Sequence, residues 1–343
     1  MKLQIHIRDS FDAVTPVISA ILAITVVIVA VSSTVFWGGP YVNDLQSKES
    51  LENAEMQFNL IVENIKDIVI RGADDKNILP VVVDQGSISI DKSDYDRTIV
   101  VYSTNPDPGY EITVDGLGLD SSDNVFYVYL GNNLGTNNIR ANIQWPDNDE
   151  YSEEMEFVGT DGRVEATHDI SGNVHITLSD TGSDFGNIWL FDSNSLIFDL
   201  HSSAGIHRLS LEKGGIIYFN DGEAQVKRLF SVDLKDDSFG IHVLQILALK
   251  SFSAGGGNGF NGKISVESRG TWVQERGNIY YLKLQLHGDN AQTWLDYINN
   301  KYENKFVVSD DDNDGLDDTL FLSESTDGVQ LTFLNSIIDF DII

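Results

Sequence analysis

Apolar residues run uninterrupted by charge from Pro16 to Trp37 (PVISAILAITVVIVAVSSTVFW), and nothing else in the chain matches that run. An α-helix rising about 1.5 Å per residue carries it about 33 Å, enough to cross a hydrocarbon layer of about 30 Å. Gly38-Gly39-Pro40 follows and predicts a break or kink. Beyond it, Leu51, Ala54, Phe58, Ile61, Ile65 and Ile68 recur three or four positions apart, with Glu52, Glu55, Glu63, Lys66 and Asp67 between them. This is a second, amphipathic helix ending near Arg71-Gly72, where glycine suits the position after the last turn. Its narrow seam fits two uses: lying on the domain that follows, or a coiled-coil contact with neighbouring copies.

From Asn77 the period becomes two. Residues 87–90, 98–102, 110–114, 125–130, 138–144, 155–158, 174–178 and 188–191 read as strands, separated by turn signals such as Asn105-Pro106-Asp107-Pro108-Gly109 and Ser171-Gly172-Asn173. Residues 216–219 and 224–228, joined by Asn220-Asp221-Gly222, form the clearest hairpin. Strands at 230–234, 241–249, 262–267, 279–286, 319–322 and 329–334 follow, with a last apolar stretch over 337–343. One helix interrupts them, with Asp289 as N-cap and Ala291, Trp294, Leu295 and Ile298 as its apolar face.

The pattern is that of an α+β chain: a long N-terminal hydrophobic helix, then a mainly antiparallel, sandwich-like β ectodomain. It divides into a leader or cytoplasmic stub (1–15), a transmembrane-type helix (16–37), a helical stalk (41–72) and two β-rich lobes (77–182 and 183–343). The cut between the lobes falls at residues 179–185 (SDTGSDF), and the second lobe carries the short helix and an acidic loop.

Charge narrows the partners. The chain has 22 Lys plus Arg against 53 Asp plus Glu, a formal net charge of -31. Lys2 and Arg8 balance Asp9 and Asp12 in the stub, so the whole excess lies beyond the apolar run. Such a surface argues against nucleic acid, whose phosphates select cations. It suits salty water or bound Ca²⁺. Lys2, His6 and Arg8 before the run, against Asp44 and Glu49 after it, place the N-terminus in the cytoplasm and the body outside. A cleavable signal peptide has a shorter apolar region, of about 7–15 residues, so a retained helix with Phe36 and Trp37 at the interface is favoured. The absence of cysteine removes thiol catalysis, Cys-ligated zinc and disulfides.

Candidate chemistry is sparse. In SDDDNDGLDDT (residues 309–319), Asp310, Asp312 and Asp314 alternate before Gly315, with Asp318 further on. Alternating carboxylates round a tight turn, with the Leu316 carbonyl, offer the hard oxygens Ca²⁺ requires. Phe321 stands where an EF-hand has its bidentate Glu, so the loop is closer to the short DxDxDGxxD type, and its role is structural. Residues 257–264 (GNGFNGKI) come one residue short of a P-loop, but Ile264 replaces the Mg²⁺-binding hydroxyl and the segment continues as strand. His168, His175, His201 and His207 lack metal-site helical spacing, there is no GxSxG, and nothing selects a carboxylate pair, so no catalytic residue and no enzyme is assigned.

At the mouth of the apolar run, Asp12-Ala13-Val14-Thr15-Pro16-Val17-Ile18-Ser19-Ala20-Ile21-Leu22 resembles the start of archaeal type IV pilins and pilin-like surface proteins. The resemblance covers about 25 residues and the plan of a helix joined to a β-rich head. It implies processing by a prepilin peptidase, self-assembly with other pilin subunits through the N-terminal helix, and adhesion through the head. The location implied is the archaeal cell membrane, with the C-terminal domain outside, or an extracellular filament. Asp12 stands where the family often has a basic residue, and no Lys/Arg-Gly cleavage pair is present. The chain is also larger than typical major subunits, so a minor pilin or an anchored adhesin fits as well as a main subunit. The rival reading is a membrane-anchored extracellular protein, carbohydrate-binding or hydrolytic, on a plain signal anchor.

Overall fold

The computed structural model describes residues 8–72, 74–91, 97–104, 112–115, 126–130, 139–144, 152–157, 163–166, 174–180, 183–202, 205–230, 232–234, 241–250, 259–302, 307–309 and 319–343. The chain opens with α1 (Arg8–Arg71). Then come β1 (Lys76–Val82), β2 (Ser87–Asp91), β3 (Arg97–Ser103), β4 (Ile112–Asp115), β5 (Phe126–Leu130), β6 (Ile139–Gln144), β7 (Ser152–Phe157) and β8 (Arg163–Ala166). Next are β9 (Val174–Asp180), β10 (Ser183–Asp192), β11 (Ser195–Ser202), β12 (Gly205–Glu212), β13 (Gly215–Asn220), β14 (Glu223–Arg228), β15 (Val232–Leu234) and β16 (Ile241–Lys250). The chain closes with β17 (Asn261–Leu286), α2 (Ala291–Lys301), β18 (Val307–Ser309) and β19 (Thr319–Ile342). The architecture is α+β: one long, apolar-led helix followed by mostly antiparallel sheets.

The expected break at Gly38-Gly39-Pro40 does not occur: α1 is one continuous helix of 64 residues. Proline removes the bond to the carbonyl four residues back and crowds the residue before it, but here that residue is Gly39, which has no Cβ to crowd. The stalk is therefore the second half of the same helix. Its end is as expected, with Gly72 at φ +109° and its N–H donating to the Ile68 carbonyl at 3.1 Å.

The largest sheet runs β15-β16-β19-β17-β3-β10-β9-β6-β7, with β1 added on β17 and β18 on β19. All its pairings are antiparallel except β16 with β19. A second sheet runs β14-β13-β12-β11-β2, and a third β4-β5-β8. The cut expected at residues 179–185 falls where β9 pairs antiparallel with β10, Asp180 opposite Ser183, and β3 pairs with both β10 and β17. The large sheet thus takes strands from both sides of that cut. Segments read as separate strands at 262–267 and 279–286 are one long bulged strand, β17, as are those of β19.

Two cores share these sheets. Phe58, Ile61, Ile65 and Ile68 of α1 pack with Leu196, Phe198, Leu209 and Leu211 of the second sheet and with Leu247, Leu249, Val266 and Ile338 of the first. Trp294, Leu295 and Ile298 of α2 pack with Ile246, Ala248, Leu284, Phe333 and, from the second sheet, Ile217. Strand β16 therefore presents Ile246 and Ala248 to one core and Leu247 and Leu249 to the other. That two-sided burial explains its near-continuous apolar sequence.

Candidate functional site

The feature most distinctive of this fold is the division of α1 into a bare half and a seated half. Large apolar side chains from Ile18 to Trp37 are all more than half exposed, from 55% at Ile18 to 78% at Trp37. Thr25 and Thr34 donate their hydroxyls to the Ile21 and Ala30 carbonyls at 2.8 and 2.9 Å, so neither hydroxyl needs water. By length and composition α1 is able to cross a membrane, a property membrane anchors share with signal sequences.

From Ile18 onward, Ser47 is the first buried residue of α1, and the seam Ala54, Phe58, Ile61, Ile65 and Ile68 is buried against the β structure. Of the two uses read from its pattern, this seam lies on the domain that follows. Polar side chains flanking it lock the seat. The Gln57 amide pairs with strand β1, accepting from the Val82 N–H at 2.9 Å and donating to the Val82 carbonyl, which Asn53 also reaches at 3.3 Å. Asn77 donates to Asn64 at 2.6 Å. Arg228 of β14 donates to Asn59 at 3.2 Å and to Glu63, whose pKa is held below its ordinary value by that bond.

A buried polar cluster joins α2 to the second sheet. Glu212, 2% exposed, accepts from Trp294 Nε1 at 2.7 Å, Asn290 Nδ2 at 3.2 Å and Ser195 Oγ at 3.4 Å. Burial raises its pKa against those donors. Asn290, not the expected Asp289, is the residue at the N-cap of α2, and its side chain is turned to Glu212 instead of capping the helix. Next to Glu212, Lys213 and Gly214 make a tight turn with φ +52° and +86°. Lys213 is also buried, which brings its pKa down to about 7. These groups are in hydrogen bonds or tight packing, and their arrangement is that of a structural joint between layers.

The acidic loop with Asp310, Asp312, Asp314, Leu316 and Asp318 lies outside the described residues. Its flanks are described: β18 and β19 are antiparallel with Ser309 opposite Thr319, so the loop connects a hairpin. Lys263 and Ile264, at the end of the P-loop-like segment, lie in β17, as the sequence indicated. His175 is buried, stacked on Trp189 at 3.8 Å and bonded to Asn187 at 3.1 Å, while His207 bonds the Tyr218 hydroxyl at 2.7 Å. Among the described residues no three His, Asp or Glu side chains gather as a metal group.

No family model, curated protein or solved structure matches the chain.

Proposed function

We propose that this chain is an archaeal type IV pilin-like surface protein, a filament subunit, main or minor, or an anchored adhesin displaying an acidic β-rich head. The observation that carries the proposal is the two-part use of α1. Its first half offers apolar side chains on every side, and its second half is built into the core of the head. Such a helix suits a subunit that first sits in lipid and then exchanges lipid for neighbouring helices. Ser19, Ala20, Ala23 and Ala30 permit the close approach this requires. The Ala13-Val14-Thr15-Pro16-Val17-Ile18 entry adds the sequence resemblance, and with it processing by a prepilin peptidase on the cytoplasmic side. The acidic loop at residues 310–318 is proposed, from its sequence, as a structural Ca²⁺ loop.

The test has two parts. N-terminal sequencing of the native protein is expected to give a start between Asp9 and Ala13. A chain that keeps Met1 points to a plain signal anchor, the starting point for a carbohydrate-binding or hydrolytic surface protein. Electron microscopy of material sheared from cells is expected to show filaments labelled by antibody to the head. Their absence sinks the filament-subunit reading and leaves the anchored form.

A further inference from the structure

We infer that Gly38-Gly39-Pro40 is a mechanical joint, a short stretch of α1 that unwinds and bends to let the head turn relative to its anchor. This rests on the reading that the apolar half of α1 is held in lipid or in a helical bundle. Three observations converge. First, the three residues least suited to a helix interior stand consecutively, and Pro40 leaves the Phe36 carbonyl without its usual partner. Second, packing does not compensate. A β-carbon placed on Gly38 or Gly39 would meet nothing within 4 Å beyond the helix's own backbone. Tyr41, Val42 and Leu45 are half or more exposed, and burial against the head begins only at Ser47.

Third, the position is the one where unwinding is tolerated. Freed carbonyls are costly in hydrocarbon but are satisfied by water just outside it. Phe36 and Trp37, edge to face at 6.2 Å and both strongly exposed, are the aromatic pair that marks that boundary. Below the joint, the apolar run is held by the lipid or neighbouring helices of the reading above; beyond it, Gln57 and Arg228 fix the helix to the head. Two stiff segments therefore meet at one soft one.

The chain has no cysteine, so spin labels are placed at will. Labels at T34C and E49C span the joint, and labels at E52C and D67C span an equal length, about 22 Å, of the seated helix. Pulsed electron–electron distances are recorded on the full chain in phosphatidylcholine vesicles. The joint pair is expected to give a distribution about twofold broader than the control pair, and G38A with G39A and P40A to bring it down to the control width. Equal widths in the parent chain overturn the inference, as does a broad distribution that survives the triple substitution. Flotation of the same vesicles tests the underlying reading separately: protein that fails to float with lipid removes the membrane anchor, whatever the widths show.

Discussion

Burying a carboxyl at Glu212 has a consequence that can be followed with pH. Its folded-state pKa stands above the ordinary 4.5, which the unfolded chain retains. The native protein therefore holds this proton longer, and the contribution is greatest below about 4.5 and is lost as pH rises toward the native value. Glu212→Gln is expected to gain stability relative to the parent over that rise, in urea unfolding of the full chain in detergent. Parallel pH curves would reject the assignment. Glu212→Leu leaves the Trp294 indole N–H buried without an acceptor, a loss of about 1–3 kcal/mol at any pH. Lys213 has the opposite sign. With its pKa brought down to about 7 from 10.5, the native chain sheds the proton first, so stability rises across that interval. Lys213→Met should flatten the rise, the signature that separates a titrating lysine from a merely apolar one.

At the scale of elements, the seating of α1 depends on side chains that stand in for a missing strand. Among the described residues strand β1 is paired by β17 alone, and Gln57 supplies both a donor and an acceptor to Val82 on its other side. Gln57→Ala should speed amide exchange at Val82 about fivefold, equivalent to about 1 kcal/mol, with little effect in β13. Unchanged exchange would mean that water replaces the amide without loss. The seam that α1 buries was readable from spacing alone, because an amphipathic period survives whatever lies opposite. The continuity of α1 was not: composition marks a break, and only the Gly39-Pro40 order relieves it. Strand β11 is hard to read from sequence because Leu196-Ile197-Phe198, buried on both faces, interrupts the period of two; Leu209-Ser210-Leu211-Glu212 of β12 does alternate, but too briefly to mark a strand by itself. The Glu212 cluster was invisible for another reason. Ser195, Asn290 and Trp294 come from distant segments, and only strand register and the seating of α2 bring them together.

For the whole molecule the governing quantity is the charge of -31. Even if every Lys and Arg found an acid, that excess would remain unpaired. Several bases are already committed, as in Arg97 with Asp192, Arg208 with Asp199 and Arg269 with Asp339. Mutual repulsion among the remaining carboxylates favours expansion, and screening shrinks from about 10 Å at 0.1 M salt to about 3 Å at 1 M. The melting temperature of the full chain should therefore climb by about 5 °C or more between about 0.1 and 1 M NaCl. A flat response would show that the acids are already neutralised by bound cations or protons. Calcium adds a separable contribution. At constant high ionic strength, diffuse screening is saturated, so any further rise on adding about 1 mM Ca²⁺ requires coordinated ions. Asp312→Ala with Asp314→Ala should abolish that rise while leaving the NaCl response intact, because two charges in 53 acids barely alter the overall repulsion. If the double variant keeps the Ca²⁺ response, the loop between β18 and β19 is only a solvated hairpin connection.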